Sequence, residues 1–510
     1  MKKFLLFIFL LPAFLILQGC DPGTSANEVD EITASEERQF VWNGLNFWYY
    51  WQDRVPDLAD ERKDDIRSFN QLLNEPNDER ALFENLIYRQ EDEFSWFIDD
   101  YEVHEAARLG TSKSFGFRFG LARERGVTGM ETGNVFGYVQ YVVEGSPADN
   151  AGLKRGDIFR GINGENITLS NFARLLDNDI YDLSMATVRR TENWYQINNL
   201  DEKVMVQAVD LNENPIHTFR MYNFGSRTVG YLLYNSFRFN FHKELNDRFG
   251  TFKEYGVDEL VLDLRYNGGG SLLTSAILAS MISGESENSV FAELRYNDKR
   301  SSNNVEFPFL EEVPIFDGNG EFINDSELNS LGLSRVYILA SERTASASET
   351  VINGLRPYGV EVIIIGTKTI GKDEGSITVY DAPGALYSPR NEQQRSMINP
   401  NHKRAMQPIV FKIFNAYGED YPNGFAPSPG TTVQNEFNYL EEGLPPLGDP
   451  QEQLFKSALG HMSGSFLAKE RVGSEIDYSM HFMDSSELTP FHDDVYLLPY
   501  DLDRISTERE

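Results

Sequence analysis

The sequence predicts an α/β chain whose largest unit is a mostly parallel, layered core of strands and helices. Three observations carry that reading. First, residues 336–372, VYILASERTASASETVINGLRPYGVEVIIIGTKTIGK, pass from an apolar β-rich run through a polar loop into a helical pattern at Ser346, then into a second apolar run at 360–365. Strand, helix and strand in that order make a βαβ unit, and its loops gather at the carboxyl ends of the strands, where such folds keep their chemistry. Second, a further alternation starts at Thr228: TVGYLLYNSF as strand, HKELNDRFGTFKEYG as helix, VDELVLDLR as buried strand, then NGGG and the helix SLLTSAILASMISG. Third, the apolar period ahead of this region is helical from Phe40 to about Arg108 and strand-like over residues 113–178.

A chain of 510 residues with 41% apolar and 13% aromatic content is globular and long enough for two or three domains. Its formal charge of −33, spread along the whole length, repels nucleic-acid phosphates and anionic headgroups, so no nucleic-acid partner is expected. Cys20 is the sole cysteine, which excludes an internal disulfide and a cysteine metal site. The seven histidines show no HExxH spacing, and DGNGEFINDSE has Phe322 where a calcium loop needs glycine, so neither a metal nor another cofactor is expected.

Taken in order, Lys2 and Lys3 precede an apolar run over residues 4–17 that ends in LQGC. These are the parts of a secretory signal, and the run is short against the roughly 20 residues that span a bilayer. The ending resembles the lipobox of bacterial lipoproteins, which implies that residues 1–20 are a signal peptide and that Cys20 is lipidated. Residues 21–39 are polar and acidic and read as a flexible tether. Residues 40–108 form the N-terminal helical region, where FVWNGLNFWYYW carries aromatics at helical spacing, as core packing or as a ligand platform.

Residues 109–190 hold KSFGFRFGLARE and VFGYVQYVV as strands, then GSPADNAGLKRGDIFRGINGENI, in which NGEN is a tight turn, and TLSNFARLL as a helix capped by Thr168. The order of elements and these words resemble a PDZ domain of the bacterial protease-associated type. That resemblance implies a peptide added as a strand beside residues 115–121, against the helix 169–176, with Phe115, Gly116, Phe117, Leu175 and Leu176 around it. The alternative is a PDZ-like fold that only spaces or regulates its neighbour. Residues 191–465 form the main domain, with residues 285–334 reading as an insertion. Residues 466–510 are an acidic, irregular tail to which no role is assigned.

Ser346 and Lys372 stand 26 residues apart, yet the βαβ unit brings their loops together. A serine hydroxyl is a poor nucleophile until a base takes its proton. Only about one exposed lysine in a few thousand is neutral at pH 7, and burial in an apolar pocket makes the neutral amine available. Lys372 follows a buried strand and the pliant Gly371, while Asp373 and Glu374 are expected to point away from its amine. A developing oxyanion needs donors aimed at it; the amide of Ala347 at the helix start and that of Gly268 or Gly269 in NGGG are the candidates. Ser346 with Glu349 is also a plain capping box, and NGGG alone is a turn or a weak phosphate cradle without a Walker lysine–serine pair. No GxSxG elbow is present.

LVLDLRYNGGG, TASASE and IIIGTKTIGK, preceded by GSPADNAGLKRGD, together resemble the carboxy-terminal processing (tail-specific) peptidases related to tricorn protease. The resemblance runs from about Phe40 to Met462, where YYWQDRVPD is similar to a common opening of the helical region. It implies a crotonase-like β/α spiral catalytic domain with a PDZ domain, Ser346 as nucleophile, Lys372 as general base, and Gly268 or Gly269 with Ala347 as oxyanion hole. Members often carry a glutamine four residues after the lysine; Ser376 stands there, so Ser376 or Thr378 substitutes, or the orienting group comes from elsewhere. The implied protein is a serine endopeptidase of the bacterial cell envelope, lipid-anchored on the periplasmic or cell-surface side, acting on proteins or peptides. Two other readings stay open: a catalytically inactive, PDZ-containing peptide-binding envelope lipoprotein, and a crotonase-like enzyme on acyl thioesters, which an export signal disfavours.

Overall fold

The computed structural model describes residues 33–109, 111–126, 128–191, 193–464, 477–488, 495–497 and 500–501; the signal segment and Cys20 lie outside the described residues. Helix α1 (Glu36–Trp48) starts where Ser35 Oγ accepts from the Arg38 amide, with Glu36 and Glu37 at the positive end of the helix dipole. Asp65, Asp78 and Asp100 cap α2 (Ile66–Asn74), α3 (Glu79–Leu86) and α4 (Tyr101–Arg108) in the same way. The aromatic stripe of α1 is core: Phe40, Trp42, Leu45 and Trp48 are buried, and Trp42 packs edge-on against Phe69 at 5.0 Å. These side chains join the same apolar cluster as Leu260, Leu262, Val336 and Ile338 of the main domain.

The PDZ unit is an antiparallel sheet in the order β1 (Phe117–Arg125), β2 (Glu131–Val142), β3 (Ile158–Ile162), β4 (Ile180–Arg190), β5 (Tyr195–Gln207). Its hairpin of β4 and β5 runs across residue 190, from Ile180↔Gln207 to Arg190↔Tyr195. The helix beside β1, α5 (Phe172–Leu176), begins later than Thr168, because Asn171 Oδ1 accepts from the Thr168 amide at 2.8 Å and closes a turn first.

The main domain opens with β6 (Ile216–Phe224) and β7 (Arg227–Tyr234), then α6 (His242–Glu254), β8 (Glu259–Asp263), β9 (Gly270–Ser271) and α7 (Leu272–Ser283). Strands β10 (Val290–Tyr296) and β11 (Val305–Pro308) follow, then β12 (Arg335–Ala340), α8 (Ala347–Leu355), β13 (Glu361–Gly366) and β14 (Glu374–Ser376). The chain continues through β15 (Ala405–Gln407), β16 (Ile409–Phe414), α9 (Gln453–Met462), β17 (His481–Asp484) and β18 (Val495–Tyr496).

One sheet has the order β6-β7-β8-β12-β13, parallel from β7 to β13. Helix α7 is buried along almost its whole length, as its continuous apolar sequence requires. A second sheet has the order β9-β18-β14-β16-β10-β11. The stretch expected as an insertion therefore supplies β10 and β11 to this second sheet. The tail expected to be irregular supplies β17 and β18; strands this short carry no periodic signal, and the open edges of their partners define them.

Arg155 joins the PDZ unit to the main domain. Its guanidinium, buried, donates to Tyr266 Oη at 2.6 Å, Glu436 at 2.7 Å and the Pro445 carbonyl at 3.0 Å. Arg265 lies between Asp263 (2.7 Å) and Glu452 (2.6 Å), so that each of these buried charges has partners. No helix among the described residues is long and apolar enough to cross a membrane.

Candidate active site

The loops after β8, β12 and β13 meet at one end of the parallel sheet. The loop after β12 is tied to the one after β8: Thr344 Oγ1 donates to the Leu264 carbonyl at 2.8 Å, the Ala345 amide to the Asn267 carbonyl at 3.2 Å, and Ser348 Oγ to that same carbonyl at 3.0 Å. These bonds place Ser346 beside NGGG. Ser346 caps α8 with φ 61° and ψ −119°, a conformation that a side chain other than glycine seldom takes. Holding it there stores about 1–3 kcal/mol, a strain typical of functional turns between strand and helix. Ser346 is fully buried, and its Oγ has no hydrogen-bond partner among the described residues.

Glu349 is the centre of the arrangement. Its Oε2 accepts from the amides of Ser346 and Lys372, each at 2.9 Å, so those two nitrogens lie no further apart than twice that length. Its Oε1 accepts from the Gly371 amide at 2.7 Å and from Thr369 Oγ1. Burial pushes this carboxyl up to about 7, against four donors that favour its charged form. Capping thus accounts for only one of its four bonds.

Gly371 has φ 99°, and a Cβ there would meet Gly424 N at 2.5 Å and Pro422 O at 2.6 Å, so glycine is needed to bring Lys372 in. Lys372 is buried, with its amine 4.4 Å from the Phe94 ring centre, a wall supplied by the N-terminal region. Asp373 and Glu374 both pair with Lys412, Asp373 at 2.8 Å.

The Gly269 amide donates to Asn267 Oδ1 at 2.9 Å, so of the two glycines Gly268 is the one not engaged by that side chain. The amide of Ala347 is the first of α8 and has no acceptor within the helix. Ser376 Oγ accepts from Gln407 Nε2 at 2.8 Å, and Thr378 Oγ1 donates to Gln407 Oε1 at 2.8 Å. Gln407, fully buried on β15, thus reaches both positions that follow the lysine loop. It and Phe94 escaped the sequence reading, because nothing in local spacing links AMQPIV or EDEFSW to the βαβ unit.

A cavity of about 680 Å³ runs between the PDZ unit and the main domain. Phe115, Phe117 and Leu176 of the PDZ unit and Gly268 and Gly269 of the main domain all line it. Gly116, with φ 79°, turns the chain between the two phenylalanines, whereas Leu175 faces the PDZ core.

A serine of positive φ at a strand-to-helix turn, a buried lysine whose amide shares a carboxylate with it, and a neighbouring glycine loop together resemble a serine-peptidase site beside a PDZ-like sheet. Comparison with known proteins agrees. Residues 228–385 match Peptidase family S41, residues 36–96 the Peptidase S41 N-terminal domain, and residues 138–190 the PDZ domain. The chain thus carries a Peptidase family S41 domain together with that family's N-terminal domain and a PDZ domain. It is 26% identical over 302 residues to a probable CtpA-like serine protease of Staphylococcus aureus (strain N315), covering 58% of this chain and 51% of that one. It is 26% identical over 231 residues to the carboxyl-terminal-processing protease of Picosynechococcus sp., covering 45% and 49%. The chain therefore spans about half the length of the curated relatives it matches. The solved structure of a putative S41 protease from Bacteroides fragilis NCTC 9343 is 28% identical, with a TM-score of 0.62 over 83% of this chain and 97% of that one.

Two predictions follow from this geometry. Ser346→Gly relieves the positive φ, so it should be more stable than Ser346→Ala by about 1–2 kcal/mol, read as a higher urea midpoint; equal midpoints would show that the turn is unstrained. For Glu349 the sign is set by a folded value raised from 4.5 to about 7. Its contribution is present in full below 4.5 and is lost as pH rises through 7. Relative to Glu349→Gln, the parent protein should lose about 3 kcal/mol of stability across that window, and parallel pH curves would contradict the assignment.

Proposed function

We propose that this chain is a serine endopeptidase that cleaves extracytoplasmic proteins through an acyl-enzyme on Ser346, with Lys372 as general base. The observation that carries this reading is the Glu349 carboxylate, which holds the backbone of the two residues together. In the reaction, the neutral Lys372 amine takes the Ser346 Oγ proton as the oxygen attacks the scissile carbonyl carbon. The carbonyl π bond opens onto oxygen, and that oxyanion rests on the amides of Ala347 and Gly268. Collapse breaks the C–N bond, and the ammonium of Lys372 returns its proton to the leaving amine. Water, deprotonated by Lys372, then cleaves the ester and frees Ser346.

The cavity joining the PDZ residues Phe115 and Phe117 to Gly268 supports capture of a peptide, such as a C-terminal tail, by the PDZ unit and its delivery to the site. Ser376, bonded to Gln407, orients the lysine loop rather than touching substrate. The full burial of Ser346 favours, as a second reading, an inactive peptide-binding envelope lipoprotein. Acylation of Ser346 by a fluorophosphonate probe separates the two.

Ser346→Ala and Lys372→Ala should each lower cleavage of unfolded casein by at least about 10³-fold with unchanged circular dichroism; undiminished turnover in either would remove the proposal. Cys20 is proposed as the site of a lipid anchor to the cell envelope. Cys20→Ser should shift the protein from the membrane to the soluble extracytoplasmic fraction and abolish incorporation of labelled palmitate, and retention of label would disprove it.

A further inference from the structure

The stretch after residue 464 has no part in the reaction just described, yet its described residues occupy the places where a peptide has to travel. Strand β17 pairs antiparallel with β1 in the register His481↔Ala122, Met483↔Leu121 and Asp484↔Gly120, so the chain adds its own strand to the free edge of the PDZ sheet. Phe482 stands edge-on to Phe172, the first residue of α5, with centroids 5.5 Å apart. Phe482 and Met483 both pack on the PDZ core. The Phe119 amide then donates to Ser485 Oγ at 2.9 Å, and Leu488 reaches the cavity that holds Phe115, Phe117 and Leu176.

Charge complements the fit. In a chain of net charge −33, β1 carries three arginines, and all three hold this segment. Arg125 pairs with Asp477 at 2.6 Å, Arg123 donates to the Ser479 carbonyl at 3.1 Å, and Arg118 to Ser486 Oγ at 2.8 Å. Further along, β18 lies between β9, which directly follows the NGGG loop, and β14, which begins two residues after Lys372. Ser376 Oγ donates to the Val495 carbonyl at 3.3 Å.

The same segment is clamped to the nucleophile loop. Arg343, three residues before Ser346, pairs with Asp484 and donates to Tyr478 Oη at 2.8 Å and to His481 Nε2 at 2.6 Å. Gln140 of β2 donates to the other oxygen of Asp484. One carboxylate therefore touches both the PDZ sheet and the loop that carries a fully buried serine.

We propose that residues 477–488, continued by β18, are the protein's own peptide ligand: they fill the PDZ edge, hold the nucleophile loop closed through Arg343, and give way to an extended acidic peptide from a substrate. The closing role rests on the peptidase reading; occupancy of the PDZ edge does not.

The test uses the full chain carrying Ser346→Ala and a fluorescein-labelled, C-terminally amidated peptide DYSMHFMDSSEL, a copy of residues 477–488. With Phe482→Ala and Met483→Ala added, the internal segment loses its hold, and fluorescence anisotropy should give an affinity for the peptide at least tenfold tighter than that of the chain with its native tail. Equal affinities, or no binding by the variant, overturn the proposal. As a check independent of those substitutions, a protease site inserted after Gly464 is cut once the protein has folded. The cut protein should exchange its tail for the labelled peptide, and failure to exchange also overturns it. With Ser346 intact, the double variant should degrade casein severalfold faster, and an unchanged rate overturns the closing role. Absence of turnover in both proteins counts against the peptidase reading alone, while the anisotropy result still decides who occupies the PDZ edge.

Discussion

The site depends on one buried carboxylate accepting four hydrogen bonds. Glu349 reaches from the first turn of α8 to the loop after β13, and its two oxygens accept from Ser346, Thr369, Gly371 and Lys372. Without it, three backbone amides would be left in a dry interior, each costing about 1–3 kcal/mol. An amide side chain would offer one acceptor oxygen and turn two donors towards the remaining N–H groups. The parallel ladder of β12 and β13 brings the two loops to the same end of the sheet, and the carboxylate then sets how they face each other. Lys412 completes the arrangement by drawing Asp373 and Glu374 to itself.

A second constraint is closure. The positive φ of Ser346 persists because Thr344, Ala345 and Ser348 are bonded to the 264–267 loop on either side of it. The serine thereby lies beside the NGGG loop while remaining buried. The PDZ sheet is held against the same region by Arg155, and residues 478–484 by Arg343, so three parts of the chain converge near Ser346.

Much of this was legible from residues close in sequence. The βαβ unit, NGGG, the tight turn at 162–165 and the helix caps follow from periods of 2 and 3.6 residues and from glycine, proline and short polar side chains at turns. The nearness of the loops that carry Ser346 and Lys372 was readable because adjacent parallel strands bring their loops to one end of the sheet. Less legible were β10 and β11, whose polar flanks resemble an insertion, and the short helix α5, delayed by the Asn171 turn. Gln407 could not be read at all, since its bond to Ser376 joins strands of two different sheets, 31 residues apart.

By itself, the sequence determined the order of elements, the buried strands and the residue types able to supply a nucleophile, a base and donors, because those depend on local backbone preference and on which surfaces leave water. Tertiary structure alone decided which carboxylate joins the loops of Ser346 and Lys372, which amide of the glycine run bonds Asn267, and where residues 477–488 lie. Those depend on the edges and orphaned donors of distant strands meeting in space, and no short-range pattern encodes that.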